Sequence, residues 1–260
     1  MKKELQLSLC IAMMLLLSPF ALKAQTVYMT DGFENGFNPT CDASCKTTAW
    51  TQEYYDVSKG SWVTTAPKFS QAWKTEQEQG TDLQYPLHAA KGKGRAYFRN
   101  EPDKNGNVQT AGYKTRLVTP VMDLSKGYQP ILRFYHAQAK YTGDFDTLRV
   151  YYRTGEGLSW NLISEYTSPI KNWKFEEIGL PAVGEYYQIA FEASENIGRG
   201  IVLDSVLVRT RPQITTPHDI TFLDMRDNGI TVQWQASKDA DFFQVALFSR
   251  ADIDLNVMQD

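Results

Sequence analysis

The sequence predicts an all-β fold with very little helix, and three observations support this. Between residues 26 and 211 the apolar residues come in short runs or alternate with polar ones, as in half-buried strands. Gly, Pro, Asn and Asp separate these runs at short intervals, which is typical of strands joined by turns. No stretch keeps the three-to-four spacing of an amphipathic helix for more than about two turns. The pattern indicates a sandwich or barrel for residues 25–211.

The first 24 residues indicate a secretion signal. Two lysines open it, residues 5–17 form an apolar run too short for a mature membrane helix, and Ala24 supplies the small residue of a cleavage site. Cys10 lies inside the apolar run rather than at its end, which argues against a lipid anchor. We expect an exported chain that works outside the cell or on its outer surface.

Composition and cysteine use narrow the function classes. The formal net charge of −3 gives no basic field to attract nucleic acid. Removal of the signal leaves Cys41 and Cys45, and an even pair in an oxidising compartment suggests a disulfide. The same spacing occurs in metal sites, but a structural zinc needs about four ligands and the three histidines are scattered. We therefore favour a disulfide over a zinc site, and we expect no nucleic-acid partner.

The predicted strands follow one another closely along the chain. Residues 132–154 give the clearest pattern, two long strands joined by a short acidic hairpin. In the second of these strands Leu148 and Val150 alternate with Arg149 and Tyr151, so one side faces a core and the other faces water or a partner. The predicted strands are residues 50–55, 62–65, 95–98, 115–123, 131–140, 147–154, 160–166, 174–180, 186–193 and 200–209.

Residues 67–94 interrupt the strand pattern with polar residues, isolated aromatics and a Lys-Gly-Lys-Gly turn at 91–94. We interpret them as a long surface loop, of the kind that carries binding function when a rigid sheet holds its ends. A merely variable excursion explains the same composition equally well.

Five segments, taken in order, carry a resemblance to a known family. They are DGFENGF (31–37), AWTQEYYDVSKGSWVTT (49–65), TRLVTPVMDLS (115–125), LRFYHAQ followed by DFDTLRVYYRT (132–154) and IAFEASENIGRGIVLDSVLV (189–208). Together they resemble the MAM-like modules of exported Gram-negative bacterial proteins, also known as cleaved-adhesin or choice-of-anchor J domains. The resemblance covers nearly all of residues 26–210 and implies a jelly-roll β-sandwich.

A second, partial domain is expected in residues 212–260. Prolines at 212 and 217 mark the boundary, and the pattern beyond it predicts three strands, at residues 220–225, 229–235 and 242–248. About 45 residues cannot close a sandwich of roughly 90 to 100 residues, so we expect this domain to be truncated. The segment resembles the start of a fibronectin type III domain, an immunoglobulin-like sandwich, with Trp234 of ITVQWQ as its core tryptophan.

The resemblance to the MAM-like modules implies a structural calcium ion at one edge of the sandwich. Position by position, it gives the ligand role to Glu34, Asp56, Asp146 and Asp204. Calcium takes six to eight oxygen ligands, partly from backbone carbonyls, so four carboxylates would suffice. We expect the ion to tie Glu34 to Asp146. Without the resemblance, the acidic motif at 144–146 is better explained as a solvated turn than as a metal site.

Aromatic residues suggest a carbohydrate-binding platform, since flat rings stack on sugar faces while nearby polar groups bond the hydroxyls. The candidates beside the long loop are Trp73, Tyr85 and Tyr97. Trp160 and Trp173 are alternatives. A sandwich core also needs large residues, however, and we expect Trp62, Trp160 and Trp173, at the edges of predicted strands, to pack inward.

No catalytic set is evident in the sequence, which contains no G-x-S-x-G elbow and no HExxH pair. His136 falls within a predicted strand, where we expect a hydrogen-bonded core or edge histidine. Carboxylate pairs for glycoside hydrolysis could be drawn from several glutamates, but a sandwich with 30 acidic residues offers such pairs by chance. We expect no enzymatic activity.

The hypothesis that follows is a secreted or cell-surface adhesion module, stabilised by calcium, that recognises glycans or host and matrix proteins. An alternative is an accessory substrate-binding module of a larger exported protease or glycoside hydrolase, with the catalytic part beyond Asp260. A third is a structural spacer without a ligand. No membrane span is expected in the mature chain.

Overall fold

The computed structural model describes residues 26–67, 71–77, 86–99, 112–211, 218–226 and 229–235. Residues 26–211 form one compact unit, and the strands beyond residue 212 belong to another. These ranges contain no helix, and therefore none that could cross a membrane. The all-β prediction is confirmed. The predicted secretion signal lies outside the described residues.

The described strands are short and antiparallel to their neighbours. They are β1 (Val27–Asp31), β2 (Thr40–Cys41), β3 (Thr51–Asp56), β4 (Ser61–Val63), β5 (Lys74–Gln77), β6 (Gly94–Phe98), β7 (Lys114–Val118), β8 (Pro130–Gln138), β9 (Thr147–Arg153), β10 (Asn161–Tyr166), β11 (Ile170–Gly179), β12 (Gln188–Ser194), β13 (Ile201–Thr210), β14 (His218–Arg226) and β15 (Gly229–Gln235).

The strands of residues 26–211 form two sheets that pack face to face. One has seven strands with the main order β11-β8-β13-β1-β2, and β6 lies beside the first part of β13 with β5 at its far side. The other has six strands in the order β10-β9-β12-β7-β3-β4. Apolar side chains of both sheets form the core, where the rings of Phe134 (β8) and Phe191 (β12) meet with centroids 5.2 Å apart. The predicted sandwich is confirmed.

The hairpin predicted in residues 132–154 is wrong, because its two strands lie in different sheets. β8 pairs with β11 and β13, whereas β9 pairs with β10 and β12. A tight turn lies between them, in which the Tyr141 amide donates to the Asp144 carbonyl at 2.8 Å. Both sheets of a sandwich bury one side, so alternation along a strand does not say which sheet it joins.

The long loop predicted at 67–94 contains a strand. β5 pairs with β6 and sets Lys74 opposite Tyr97. Its sequence, KTEQ, has no apolar residue, so it lacks the alternation by which strands are recognised. It lies at the edge of its sheet, where polar strands are common because charged side chains there discourage pairing with another chain.

A disulfide between Cys41 and Cys45 closes the turn after β2, and the Cα atoms of the two residues are 5.9 Å apart. β2 pairs with β1 of the seven-stranded sheet, while Cys45 forms an isolated bridge with Met122, which bridges in turn to Tyr187. The disulfide therefore lies in a short segment that contacts both sheets of the sandwich.

The second unit is described as one hairpin, in which β14 and β15 pair and Arg226 lies opposite Gly229. These strands coincide with two of the three strands predicted after the boundary. The third, at 242–248, lies outside the described residues. Trp234 is partly exposed on β15. The fibronectin type III assignment stays a prediction.

Candidate functional site

A first candidate site lies where β1 and β6 meet along β13. The pairing of β13 with β6 ends at Leu203 and its pairing with β1 begins at Val206, which leaves Asp204 between the two strands. Asp204 is fully buried, and Asp31 at the end of β1 is 6% exposed. We call these two carboxylates, with Glu34 and the turn at residues 90–93, the junction site.

Backbone amides of one turn bind two of the predicted ligands. The Lys91 amide donates to Asp204 Oδ2 at 2.9 Å, and the Lys93 amide donates to Glu34 Oε1 at 2.8 Å. Gly92 lies between them with a φ of +63°, and a side chain there would collide with the Glu34 carboxylate. Because a positive φ and the close carboxylate both favour glycine, the turn fits this residue.

Burial raises the pKa of both Asp31 and Asp204, and the negative charge of Asp204 raises the pKa of Asp31 further. Hydrogen bonds oppose this effect, since Asp31 accepts from the Phe33 amide at 2.6 Å and from the Trp50 indole at 2.7 Å. Among the residues that the structure describes, no Lys or Arg forms an ion pair with either carboxylate. Two buried carboxylates that repel each other would be stabilised by a cation.

The backbone around the junction site is strained. Phe33 and Ser205 have positive φ values of 59° and 51°, which side chains other than glycine rarely adopt. The pairing of β13 with β8 also shifts register between Asp204 and Leu207. Strain of this kind clusters at ligand sites, where it re-aims side chains and carbonyls.

The donor chemistry of the junction site fits a hard cation such as calcium, which binds carboxylate and carbonyl oxygens. In the described ranges, however, no three His, Cys, Asp or Glu side chains are grouped as they would be around a metal ion. A cation at the junction site would therefore also need backbone carbonyls and water. Asp31 was missed as a candidate ligand, although it opens the DGFENGF segment.

Asp146 has a different environment. Its Oδ1 accepts from the amides of Asn196 (2.7 Å) and Gly198 (3.2 Å), and its Oδ2 accepts from the Gly200 amide (2.8 Å). Burial raises the pKa of Asp146, and these amides oppose the rise. None of these partners belongs to the junction site, so the described contacts do not bring Asp146 together with Glu34.

Asp56 caps the turn between β3 and β4. Its Oδ1 accepts from the Ser58 hydroxyl at 2.6 Å and from the Ser58 amide at 3.0 Å, while Lys59 Nζ lies 3.4 Å from Oδ2. The Ser58 hydroxyl, followed by Lys59, holds the pKa of Asp56 below its usual range. These contacts explain Asp56 as a turn residue, and none of them is shared with the other predicted ligands.

The predicted aromatic platform does not form as expected. Trp73 is 1% exposed, and its indole donates to the Thr115 carbonyl at 3.1 Å, so its ring cannot stack on a ligand. Tyr97 is partly exposed beside Arg99, whose Cζ lies 4.6 Å from the ring centroid. Tyr85 lies outside the described residues. The prediction for Trp73 is wrong because the segment before β5 packs into the core.

A second candidate site is the outer face of the six-stranded sheet, where a row of charged side chains crosses five strands. Strand pairing sets Glu53 opposite Arg116, Arg116 opposite Glu192, Glu192 opposite Arg149, and Arg149 opposite Glu165. The charges alternate in sign, and opposite charges directly across a strand pair stabilise a sheet. We call this row and the aromatic rings beside it the ladder face.

The centre of the ladder is the most buried part of the row. Arg116 Nε and Nη2 lie 2.9 and 2.8 Å from Glu192 Oε2, and Arg116 Nη1 lies 3.5 Å from Glu53 Oε2. The side chains of Arg116 and Glu192 are 10% and 4% exposed. At the β10 end, the Arg149 and Glu165 side chains are 25% and 38% exposed, so the ladder opens to solvent there.

Three aromatic rings surround the Arg116 guanidinium. Its Cζ lies 3.7 Å from the ring centroid of Trp62, 5.1 Å from that of Tyr151 and 5.7 Å from that of Trp160. Arg153 also lies over Trp160, at 4.3 Å. Such cation–π contacts fix the orientation of both the rings and the guanidiniums.

The expectation that Trp62, Trp160 and Trp173 pack inward is wrong, since each is partly exposed. The Trp160 indole donates to Glu53 Oε2 at 3.0 Å, and the Trp173 indole donates to the His88 carbonyl at 2.7 Å. The position of these tryptophans near the ends of predicted strands did not reveal on which side of the sheet their side chains lie. The alternation of Arg149 and Tyr151 with apolar residues was the available signal for the ladder face.

His136 is buried in the core, as expected, but neither ring nitrogen has a hydrogen-bond partner. Its Nε2 lies 3.7 Å from Glu176 Oε1, and its ring centroid lies 4.3 Å from that of Tyr166. Burial lowers the pKa of His136 to about 4, which keeps the imidazole neutral. The predicted core position of His136 is confirmed, and Glu176 is the polar group that faces its Nε2.

Several solved structures are similar to the chain, each at low sequence identity. The K1 cleaved adhesin domain of Lys-gingipain from Porphyromonas gingivalis W83 is 19% identical, with a TM-score of 0.47 over 72% of this chain and 99% of that one. An apo cyclase from Fischerella sp. is 14% identical, with a TM-score of 0.44 over 72% and 97%. TmCBM61 in complex with β-1,4-galactotriose is 13% identical, with a TM-score of 0.40 over 62% and 88%.

No curated protein matches the chain. The profile of the MAM domain, meprin/A5/mu, matches residues 45–212, which is more than half of the sequence. The resemblance carried by the five segments is thus confirmed. The chain belongs to the MAM domain family.

Proposed function

We propose that the chain is a non-catalytic adhesion module of an exported protein, that it recognises glycans or proteins, and that calcium stabilises it at the junction site. The observation that carries the calcium role is the buried pair of Asp31 and Asp204, which has no cationic side chain bonded to it in the described residues. The same site binds the turn at 90–93, which leads into β6.

Calcium would stabilise the fold and would take no part in a reaction. An ion bound by Asp31 and Asp204 would offset their mutual repulsion and hold β1, β13 and the turn at 90–93 together. Binding of an ion to the folded state alone raises stability by about 2.7 kcal/mol at 100 times its Kd. The loop segments around β5 would then be presented on a rigid edge, as binding loops require.

The environment of the acidic groups supports a binding role over catalysis. Glycoside hydrolysis needs an accessible carboxylic acid with a raised pKa near a second carboxylate. The carboxyls with a raised pKa in the described part, Asp31, Asp146 and Asp204, are buried and bonded to amides. The accessible glutamates of the ladder face are paired with arginines instead.

Thermal unfolding with calcium and with a chelator tests this proposal. We expect calcium to raise the Tm of the chain by about 5 to 10 °C at saturation. The Asp204→Asn variant should lose this rise, because the amide is a neutral and weaker ligand. Asp56→Asn serves as the matched control and should keep it. An equal calcium response in all three proteins would exclude the junction site.

The unfolding measurement without calcium gives a second readout. Since the folded-state pKa of Asp204 is raised, its ionised form destabilises the fold, and this loss of stability grows as pH rises through the folded-state pKa. At pH 7 in chelator, Asp204→Asn should therefore be as stable as the original chain or more so. A large loss of stability in chelator would indicate that Asp204 matters only through its hydrogen bonds.

A further inference from the structure

We propose that the ladder face binds an uncharged glycan that lies across the strands, along the charged row. This inference rests on the proposed function as a binding module and adds a place and a ligand class to it. The row spans four interstrand steps of about 4.8 Å, or roughly 19 Å, which suits an oligosaccharide of several sugar rings better than a single sugar.

The charge balance of the face favours a ligand without charge. The ladder and the neighbouring Arg153 carry three guanidiniums and three carboxylates, and each group lies within 3.6 Å of one of opposite charge. An acidic polysaccharide would require cations that are not already neutralised. Lys114, at the margin, lies over the Tyr55 ring with Nζ 5.5 Å from its centroid. An uncharged ligand can bind without breaking these ion pairs.

The paired groups still have hydrogen-bonding capacity for hydroxyls. A guanidinium has five N–H donors, and a carboxylate accepts at about four lone-pair positions. At the open end of the ladder, Arg149 bonds Glu165 and the Ser194 hydroxyl, yet both charged side chains stay accessible to solvent. A sugar hydroxyl both donates and accepts, so it can bridge an arginine N–H and the neighbouring carboxylate oxygen.

Aromatic and apolar side chains supply the surface on which the C–H groups of a sugar pack. Trp62 and Trp160 are both partly exposed and lie near the Arg116 guanidinium. Leu162 on β10 lies opposite Tyr151 on β9 and is 52% exposed. It extends the apolar surface towards the open end of the ladder. A mostly apolar floor with a few fixed polar groups is the usual composition of a small-ligand site.

The same arrangement argues against a protein as the ligand of this face. The buried centre of a protein interface is depleted of charged residues. At the centre of the ladder face lies the Arg116–Glu192 pair instead, which strand pairing and three rings hold in place. A fixed polar array loses little entropy when it binds hydroxyls, so it favours a polar, uncharged ligand.

Binding of the purified chain to a mixed panel tests the inference. The panel contains a neutral β-glucan, galactan and mannan, the acidic polygalacturonate and heparin, and collagen. We expect binding to at least one neutral polysaccharide, with less than a twofold change between low and high salt, since no net charge is involved. Trp160→Ala should weaken this binding at least tenfold and Glu165→Gln about threefold. Phe175→Ala, at an exposed ring of the other sheet, is the matched control and should leave it unchanged.

The outcomes separate the inference from the proposed function. Binding to a neutral polysaccharide that survives both ladder variants would place the ligand elsewhere and overturn the inference alone. Binding only to the acidic polysaccharides or only to collagen would overturn the ligand class. Binding to no member of the panel would overturn both. Glu165→Gln keeps the side-chain shape at a half-open position, so it remains informative if Trp160→Ala fails to fold.

Discussion

The outer faces of the two sheets use the same residue types but bury them differently. On the seven-stranded sheet Arg133 pairs with Glu177 and lies near Phe175, and the Arg133 and Glu177 side chains are 29% and 33% exposed. On the ladder face Arg116 lies between two glutamates and under three rings, and its side chain is 10% exposed. An arginine–glutamate contact therefore has no fixed energy, because the desolvation of its charges sets how much stability is lost when it is removed.

The largest expected effect is the loss of the central guanidinium. Arg116→Ala leaves Glu192 buried without its closest partner, and such a change costs about 3 to 5 kcal/mol of unfolding free energy. Arg133→Ala, the matched change on the other face, should cost no more than about 1 kcal/mol because both groups remain hydrated. Urea unfolding of the two variants measures both values. Equal losses would mean that burial does not distinguish the faces.

The second effect concerns pH and the buried histidine of the seven-stranded sheet. The folded-state pKa of His136 is lowered to about 4 from an ordinary value of 6.5. As the pH falls, the unfolded chain therefore binds a proton at this histidine before the folded chain does. Stability should therefore fall as pH decreases from 6.5 to 4, by about 3 kcal/mol for this group alone. In His136→Leu that part of the pH dependence should disappear. An unchanged slope in unfolding measured between pH 7 and 4 would contradict the assigned burial.

The smallest effect is expected at the open end of the ladder. A double-mutant cycle on Arg149 and Glu165 should give a coupling of about 0.5 kcal/mol, because these side chains are partly hydrated. Salt should reduce it further, whereas the loss caused by Arg116→Ala should change little. A coupling above about 2 kcal/mol would show that the ladder is equally tight along its whole length.

The four predicted calcium ligands show what a family resemblance can and cannot predict about a site. Glu34 and Asp204 bind successive parts of one turn, whereas Asp56 is bonded by Ser58 of its own turn and Asp146 by amides of the segment between β12 and β13. A family pattern transfers residue identity, but hydrogen bonding within this chain decides which carboxylates come together. The sequence did not point to Asp31, because its hydrogen bond with Trp50 and its repulsion by Asp204 arise only in the folded chain.

Local pattern in the amino-acid sequence predicts the fold class and, in β9, the side of the strand that is buried. Alternation repeats every two residues and needs no distant contact, so Leu148 and Val150 face the core while Arg149 and Tyr151 face outward. Which strands lie side by side depends instead on contacts between distant parts of the chain. Glu192 is 76 residues from Arg116, and Glu53 is 63 residues from it, yet strand pairing makes them direct neighbours. Local pattern cannot encode that register, because it is fixed where two sheets close over a shared core.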